Sequence, residues 1–533
     1  MIRLPLAVLL CLFALPAMAS VEESYARWDQ LRDPSAGQIQ FADAYRFLQT
    51  HRGWPQEKVI RLRAEQAALS ERLADSTIRS FCADYPPISG RGMIACAEAG
   101  AGDAAKQAAW VKQAWLQGDF SGYEEEEIRR RHRFTAKEHE ARIDRLLFEG
   151  KTSPARRMLP LLTPAQRLLA EARLALITDA KNVNAKIYSV PAALKNHPGL
   201  TFNRIQWRSR KGLEDGVREL LLSAPEHPPY ADYWYNYRAI AVRDAVEHGR
   251  YSEALSLLKK AGALNSENNA DALFMKGWIR LEFAGQPRDA YKDFYQLYGD
   301  VSTPVSKARA AYWAGRAATA NGNTDIATEW YEKAAEYSTV FYGQLAAAAL
   351  KPGAPLALPD MPSAGSVADE TLAKTAMWLV HQDEPLMANL FLNTLTDQSD
   401  SAQAAALAKR AEANHYRHGA VKVAKQALRR NIVLVSAGWP TMTLPSQAPI
   451  EPGLALAIAR QESEFNPKAR SHADARGLMQ ILPGTATMTP RQYGLPVGVQ
   501  DLYEPQANAL LGTHYLGGLI NGWDGSYIAA IAS

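Results

Sequence analysis

Three glycines at a nearly constant interval, Gly249, Gly285 and Gly322, limit what the middle of this chain can fold into. Each is followed by an alanine (Ala254, Ala290, Ala327), then by a large side chain (Leu258, Phe294, Tyr331), and three residues later by Ala261, Leu297 and Ala334. A period of 36 to 37 residues, with few alternating β-branched runs, implies helical hairpins stacked as an α-solenoid. One hairpin cannot bury its apolar face alone, so small residues admit the neighbouring helix and large ones fill the next layer. The expected fold class is all-α, with an α-superhelical region from about residue 20 to 350.

Proline and glycine punctuate the rest. Pro352, Pro355, Pro359 and Pro362 exclude a helix between Pro352 and Ser366. Gly438-Trp439-Pro440 opens a second break that runs to Pro449. The expected organisation is a leader at 1–19, the superhelix at 20–350, a Pro-rich linker at 351–366, a helical linker domain at 367–435, a connecting loop at 436–450, and a terminal domain at 451–533. The leader is read from Met1-Ile2-Arg3, the apolar run Leu4 to Leu15 and the small-residue site Ala17-Met18-Ala19, with cleavage before Ser20. It is too short to span a bilayer, no other run is long enough, and Cys11 lacks the small residue expected before a lipidated cysteine. Cleavage leaves Cys82 and Cys96, which an oxidising exported location makes a disulfide candidate worth about 3 kcal/mol.

The chain has 533 residues and 47% apolar content, enough for several cores. Sixty Lys and Arg against 56 Asp and Glu, a formal charge of +4, argue against nucleic acid as the main partner. No Gly-rich phosphate loop and no His or Cys at metal-ligand spacing is present, so no cofactor and no metal are expected. The aromatics Tyr230, Tyr233, Trp234, Tyr235 and Tyr237 could stack on sugars, but at helical spacing they read as core. Glu124 to Glu127 followed by Arg129 to Arg131 reads as a solvated helical face with i+4 pairs.

The chemistry is concentrated near the end. Pro452 suits the first turn of a helix, and Pro467 biases Asn466 out of the helical region, so the helix is expected to stop soon after Glu462. Leu454, Ile458 and Glu462 follow one another at i+4, which puts the carboxyl on the ridge expected to face the interior. Burial and the negative helix end would there favour the protonated acid that a general acid catalyst needs. Glu464, two residues on, points to another face and reads as a solvated end-of-helix carboxylate.

Ala459-Arg460-Gln461-Glu462-Ser463, then Gly477-Leu478-Met479-Gln480-Ile481-Leu482-Pro483-Gly484-Thr485-Ala486, then Tyr503-Glu504-Pro505, Asn508, Gly512 and Tyr515-Leu516 resemble, in order, the catalytic domain of the soluble lytic transglycosylases. The resemblance implies a lysozyme-like helical domain that cuts the β-1,4 bond between N-acetylmuramic acid and N-acetylglucosamine in peptidoglycan and leaves a 1,6-anhydro end. It implies Glu462 as catalytic acid, with Ser463, Ser471, Met479 and Gln480 as substrate-binding residues. It further implies a repeat region similar to tetratricopeptide repeats closing into a ring, exolytic action in the periplasm on glycan strands, and other cell-wall enzymes as possible partners. Two departures stand out. Asp474-Ala475 replaces the family's Gly-Ala pair, and the chain stops at Ile531-Ala532-Ser533 where the family continues with Tyr-Asn-Ala-Gly and further helices, so the terminal domain reads as partial. A reading of another class, a helical-repeat scaffold that binds peptidoglycan or envelope enzymes without cutting, follows from that partial domain.

Overall fold

The computed structural model describes residues 20–446 and 448–533; the leader expected at 1–19, with Cys11, lies outside the described residues. Among the described residues every regular element is a helix, and the only β-pairing is two isolated bridges that Arg476 makes with Arg470 and with Ile481. The described chain forms two compact units. No described helix is long and apolar enough to cross a membrane.

One unit comprises residues 64–361 with 428–433. Its hairpins follow the repeat. Gly249, Gly285 and Gly322 all take positive φ (72°, 62° and 78°), the backbone a residue with a Cβ resists. Ala254, Ala290 and Ala327 are buried, as are Leu258, Phe294, Ala261, Leu297 and Ala334. A second small-residue device lies on the partner helices. A Cβ on Gly277 would come within 2.7 Å of the Phe294 ring, and one on Gly315 within 2.7 Å of Tyr331, so glycine there lets each ring lie flat on the helix before it. Trp234 and Tyr235 are core residues, the latter donating its hydroxyl to Asp271 Oδ2 at 2.8 Å, whereas Tyr230 and Tyr233 remain exposed.

Buried cations close helix ends in this unit. Arg238 is fully buried, and its Nη1 donates at 3.3 Å to both Leu221 O and Leu257 O, in the last turns of the helices Glu214–Ser223 and Tyr251–Lys259. The partial negative charge of two helix C-termini stands in for a carboxylate. Arg142 reaches Gly118 O at 2.9 Å, just past the helix Ala104–Gln117, and Glu125 Oε1 at 2.8 Å. Glu125 corrects the reading of its charge run: it is 4% exposed and held by Arg142 and Arg157, while Glu124 pairs with Arg91. Partners 17 to 33 residues away, invisible in a local pattern, turned half the run inward. Cys82 and Cys96 are joined by a disulfide between the helices Asp75–Asp84 and Gly90–Glu98. The stretch from Lys351 to Gly365 carries no helix, and the boundary between the units falls at Met361–Pro362, inside the Pro-rich segment.

The other unit joins residues 20–63 to 362–427 and 434–533 among those described. The start of the chain thus packs with its last third, which local sequence patterns did not suggest. Trp28 from the helix Val21–Arg32 meets Phe391 edge-on at 4.9 Å, Trp54 meets the same ring at 5.3 Å, and Tyr25 meets Trp378 at 5.3 Å. Gln398 Nε2 adds a 2.7 Å hydrogen bond to Gly53 O. The same unit carries the residues of the transglycosylase-like motifs.

Candidate functional site

Pro452 takes the first position of the helix Pro452–Glu462, where an amide would have no partner, and the helix ends at Glu462. Its inward ridge is Ala455, Ala459 and Ser463; Leu454 and Ile458 are half-buried and Glu462 is exposed. The expectation of an inward-facing Glu462 is therefore corrected. The run from Leu454 to Ala459 is apolar nearly all round, so its pattern could not choose between adjacent ridges. Packing chose the small side chains: Ala459 sits in a core with Val421, Phe465 and Leu478, and Ala455 in one with Ile450 and Leu516. Among the described residues Glu462 has no hydrogen-bond or ion-pair partner.

Ser463 is buried and its hydroxyl donates to Ala459 O at 3.1 Å, so it faces the helix end and not an open cleft. The chain then leaves the helix through two consecutive left-handed residues, Glu464 (φ 52°) and Phe465 (φ 61°). Glu464 is not the solvated carboxylate that its position suggested. Its side chain is 17% exposed; Oε2 lies 3.1 Å from Lys422 Nζ and Oε1 is hydrogen-bonded to Lys425 Nζ. Burial pushes the Glu464 carboxyl up, but the two lysines outweigh it and hold the carboxyl below its ordinary value. Both lysines stand on the helix Arg417–Leu428, with His418 one turn before Lys422. His418 Nδ1 is 3.1 Å from Glu464 O, and its Nε2 is 3.1 Å from Asn389 Nδ2. Donation by Asn389 to Nε2 and by Nδ1–H to the carbonyl requires the neutral ring, in keeping with burial, which lowers the pKa of His418. Asn389 Oδ1 in turn accepts from Tyr416 at 2.9 Å. Arg460 braces the outer side: Nε donates to Gly438 O at 2.6 Å, and the guanidinium lies 4.6 Å from the centre of the Trp439 ring.

The loop from Arg470 to Ile481 stands against this helix end. Asp474, where glycine would be expected, does take a left-handed backbone (φ 67°). It is braced by Arg476 (3.0 and 2.8 Å) and Arg470 (2.6 Å), which bring its carboxyl down to about 2. Ser471 is exposed and its Oγ accepts from Ala475 N at 3.0 Å, closing the turn. Gly477 (φ 76°) admits no side chain, since a Cβ would fall 2.1 Å from Leu502 O and 2.3 Å from Asn508 Nδ2. Asn508 is fully buried and secures the loop: Oδ1 accepts from Met479 N at 2.8 Å, and Nδ2 donates to Arg476 O at 2.9 Å and Leu502 O at 2.8 Å. Met479 is buried against Gly512, where a Cβ would lie 2.5 Å from its sulfur. Gln480 (φ 49°) spends its amide on Gly477 O at 2.9 Å and Ala469 O at 3.2 Å.

A cavity of about 710 Å³ runs between Asp383, Glu412 and Tyr416 on one side and Phe465, Lys468 and Leu478 on the other. A second, of about 780 Å³, adjoins it and shares Arg417, Thr441, Met442 and Pro505. Glu462, Ser463, Met479 and Gln480 line neither; Glu462 opens directly to solvent. The structural tasks of Asn508, Lys422, Lys425 and His418 were not read from the sequence. His418, Lys422 and Lys425 do form a polar stripe at helical spacing, but nothing local names the carboxylate they hold.

Residues 445–533 match the family described as the Transglycosylase SLT domain. A putative soluble lytic murein transglycosylase of Haemophilus influenzae is 59% identical over 63 residues, 12% of this chain and 11% of the relative. The soluble lytic murein transglycosylase of Escherichia coli K12 is 50% identical over 64 residues, 12% of this chain and 10% of the relative. The aligned stretch thus spans about a tenth of the length of these curated relatives. The fold likeness is far broader. The structure of an inactive Glu-to-Gln mutant of the lytic transglycosylase Slt from Pseudomonas aeruginosa superposes with a TM-score of 0.62 at 20% identity, covering 96% of this chain and 84% of that one. The 70 kDa soluble lytic transglycosylase of Escherichia coli gives 0.50 at 17% identity, over 96% and 83%.

Proposed function

We propose that this chain, which carries a transglycosylase SLT domain and shares the fold of the soluble lytic transglycosylases, cuts the β-1,4 bond between N-acetylmuramic acid and N-acetylglucosamine in peptidoglycan and leaves 1,6-anhydromuramoyl ends. The observation that carries this reading is the isolation of one carboxylate. Glu462 stands exposed at its helix end with no partner among the described residues, while the acids of the helix exit and of the following loop are engaged: Glu464 by Lys422 and Lys425, and Asp474 by Arg470 and Arg476. A hydrolase of the two-carboxylate kind needs a second free acid to activate water or attack the sugar. A single carboxyl suffices if the substrate brings its own nucleophile.

Glu462 would give its proton to the glycosidic oxygen as the bond to C1 breaks. The resulting carboxylate would take the proton of the C6 hydroxyl of the same muramoyl residue as that oxygen bonds to C1, returning Glu462 to its acid form. Intramolecular attack has an effective molarity on the order of 10⁵ M or more, which lets it outcompete water. Ser463, Ser471, Met479 and Gln480 would shape the turn that receives the sugars. The proposed setting is the periplasm, with action from glycan ends and the repeat region guiding strands.

The test is mass spectrometry of soluble products after the full-length protein meets purified sacculi. Anhydro-muropeptides that vanish in Glu462→Gln are expected. Reducing ends would mean that water attacks, and undiminished release by Glu462→Gln would remove Glu462 from the mechanism. Absence of any product from the full-length protein would favour the binding scaffold.

A further inference from the structure

We infer that Glu464 is a positioning residue: its carboxylate, gripped by Lys422 and Lys425, holds the left-handed exit of the preceding helix and so aims Glu462. The inference rests on the function proposed above. Glu462 has no side-chain partner among the described residues, so its direction is set by the backbone alone, by where the helix ends and how the chain leaves it. That exit is costly. Glu464 and Phe465 are consecutive left-handed residues with no glycine between them, a backbone that a residue with a Cβ adopts only when its surroundings hold it there.

Three contacts, all on the Arg417–Leu428 helix, oppose that cost. Lys422 and Lys425 hold the Glu464 side chain. His418, itself fixed by Asn389, meets the Glu464 carbonyl. Phe465 is 3% exposed and packs in one core with Val421. Of these, the lysine pair alone acts through a group that can be neutralised without changing its shape. The carboxylate end of both pairs is mostly covered, at 17% exposed, while Lys422 and Lys425 are 30% and 41% exposed, so solvent screens the pairs in part. Released from them, the exit is free to relax toward right-handed geometry. Glu462 is the last residue of that helix, so a relaxed exit shifts the turn that carries it. Displacement of a catalytic group by about 1 Å can cost on the order of a hundredfold in rate.

The experiment compares the full-length protein with Glu464→Gln, the double variant Lys422→Met/Lys425→Met, Glu464→Lys, and the exchanged pair Glu464→Lys/Lys425→Glu. Turnover and KM are measured on soluble, uncrosslinked glycan strands, and hydrogen exchange is followed in a peptide spanning residues 462–467. A positioning role predicts that Glu464→Gln lowers kcat by about tenfold or more while KM stays within about threefold, because a misaimed acid loses transition-state contact and not ground-state binding. Exchange across 462–467 should quicken, and the exchanged pair should recover turnover relative to Glu464→Lys alone.

A Glu464→Gln enzyme with kcat within about twofold of the parent overturns the inference. So does an exchanged pair no better than Glu464→Lys. Should Glu464→Gln lose its helical circular dichroism, the lysine double variant decides by the same kcat criterion. Glu462→Gln separates the two readings. If it stays active, the proposed chemistry falls and this inference with it; if it is dead while Glu464→Gln matches the parent, only the inference falls.

Discussion

Asn508→Leu removes the three bonds that secure the Arg476–Gln480 turn while keeping roughly the volume of the side chain. Asn508 is fully buried, and without its amide Met479 N–H, Arg476 C=O and Leu502 C=O all lose a partner. A buried polar group left unpaired costs about 1–3 kcal/mol, so three of them, partly relieved by relaxation, come to about 3–5 kcal/mol. That is a large share of the ~5–15 kcal/mol that holds a domain together. Because the chain has two compact units, a single unfolding midpoint would blur the effect. Hydrogen exchange of a peptide covering residues 476–482 reads it locally. The Met479 amide, now protected by Asn508 Oδ1, should exchange about a hundredfold faster or more, since each ~1.4 kcal/mol of lost protection is a factor of ten. Asn508→Asp is the sharper control. It keeps an acceptor for Met479 but turns a carboxylate oxygen toward two carbonyls, so it too should loosen the turn. Exchange within about threefold of the parent in both variants would refute the idea that Asn508 secures this loop.

Gly477→Ala should destabilise the site more than Gly512→Ala, because the first Cβ meets the Leu502 carbonyl at 2.1 Å on a left-handed backbone and the second meets the movable Met479 sulfur at 2.5 Å; the same exchange peptide ranks the two. Opening the Cys82–Cys96 bridge, which closes a loop of sequence separation 14, should cost about 3 kcal/mol in the unit that holds it, read as a lower denaturant midpoint for Cys82→Ser/Cys96→Ser. Asp474 should titrate near 2 by carbon NMR, and Arg476→Ala should bring it back toward the usual carboxylate range. Its folded value is depressed, so its support of the loop is complete above the ordinary value of about 4 and is lost as pH falls through about 2.

Much of the fold was legible because it rests on local chemistry. The turn glycines Gly249, Gly285 and Gly322, the buried alanines that follow them, and Pro452 at the start of the Glu462 helix each act within a few residues of themselves. The site was legible as a set of residues and not as an arrangement. Glu462 was singled out from its motif, but its exposure was not, since an apolar stretch such as Leu454 to Ala459 marks no unique face. The local pattern makes Glu464 look solvated because its partners sit 39 and 42 residues earlier in the chain. Glu125 hides its burial for the same reason, with Arg142 and Arg157 lying beyond its own helix.

Local sequence is enough for the helical hairpins, the Pro-rich break, the stop of the Glu462 helix, and the residue types that gather near its end. These follow from backbone preference and from the period of small and large side chains, which need no distant partner. Only the packing of the whole chain sets the first helix on the helices near residue 390, buries Ala455 and Ala459 fully while Leu454 and Ile458 stay half-buried at the core's edge, and leaves one carboxylate free while its neighbour is held by two lysines. Those outcomes depend on which surfaces meet across hundreds of residues. A buried charge or amide has no preference of its own until the chain brings it a partner.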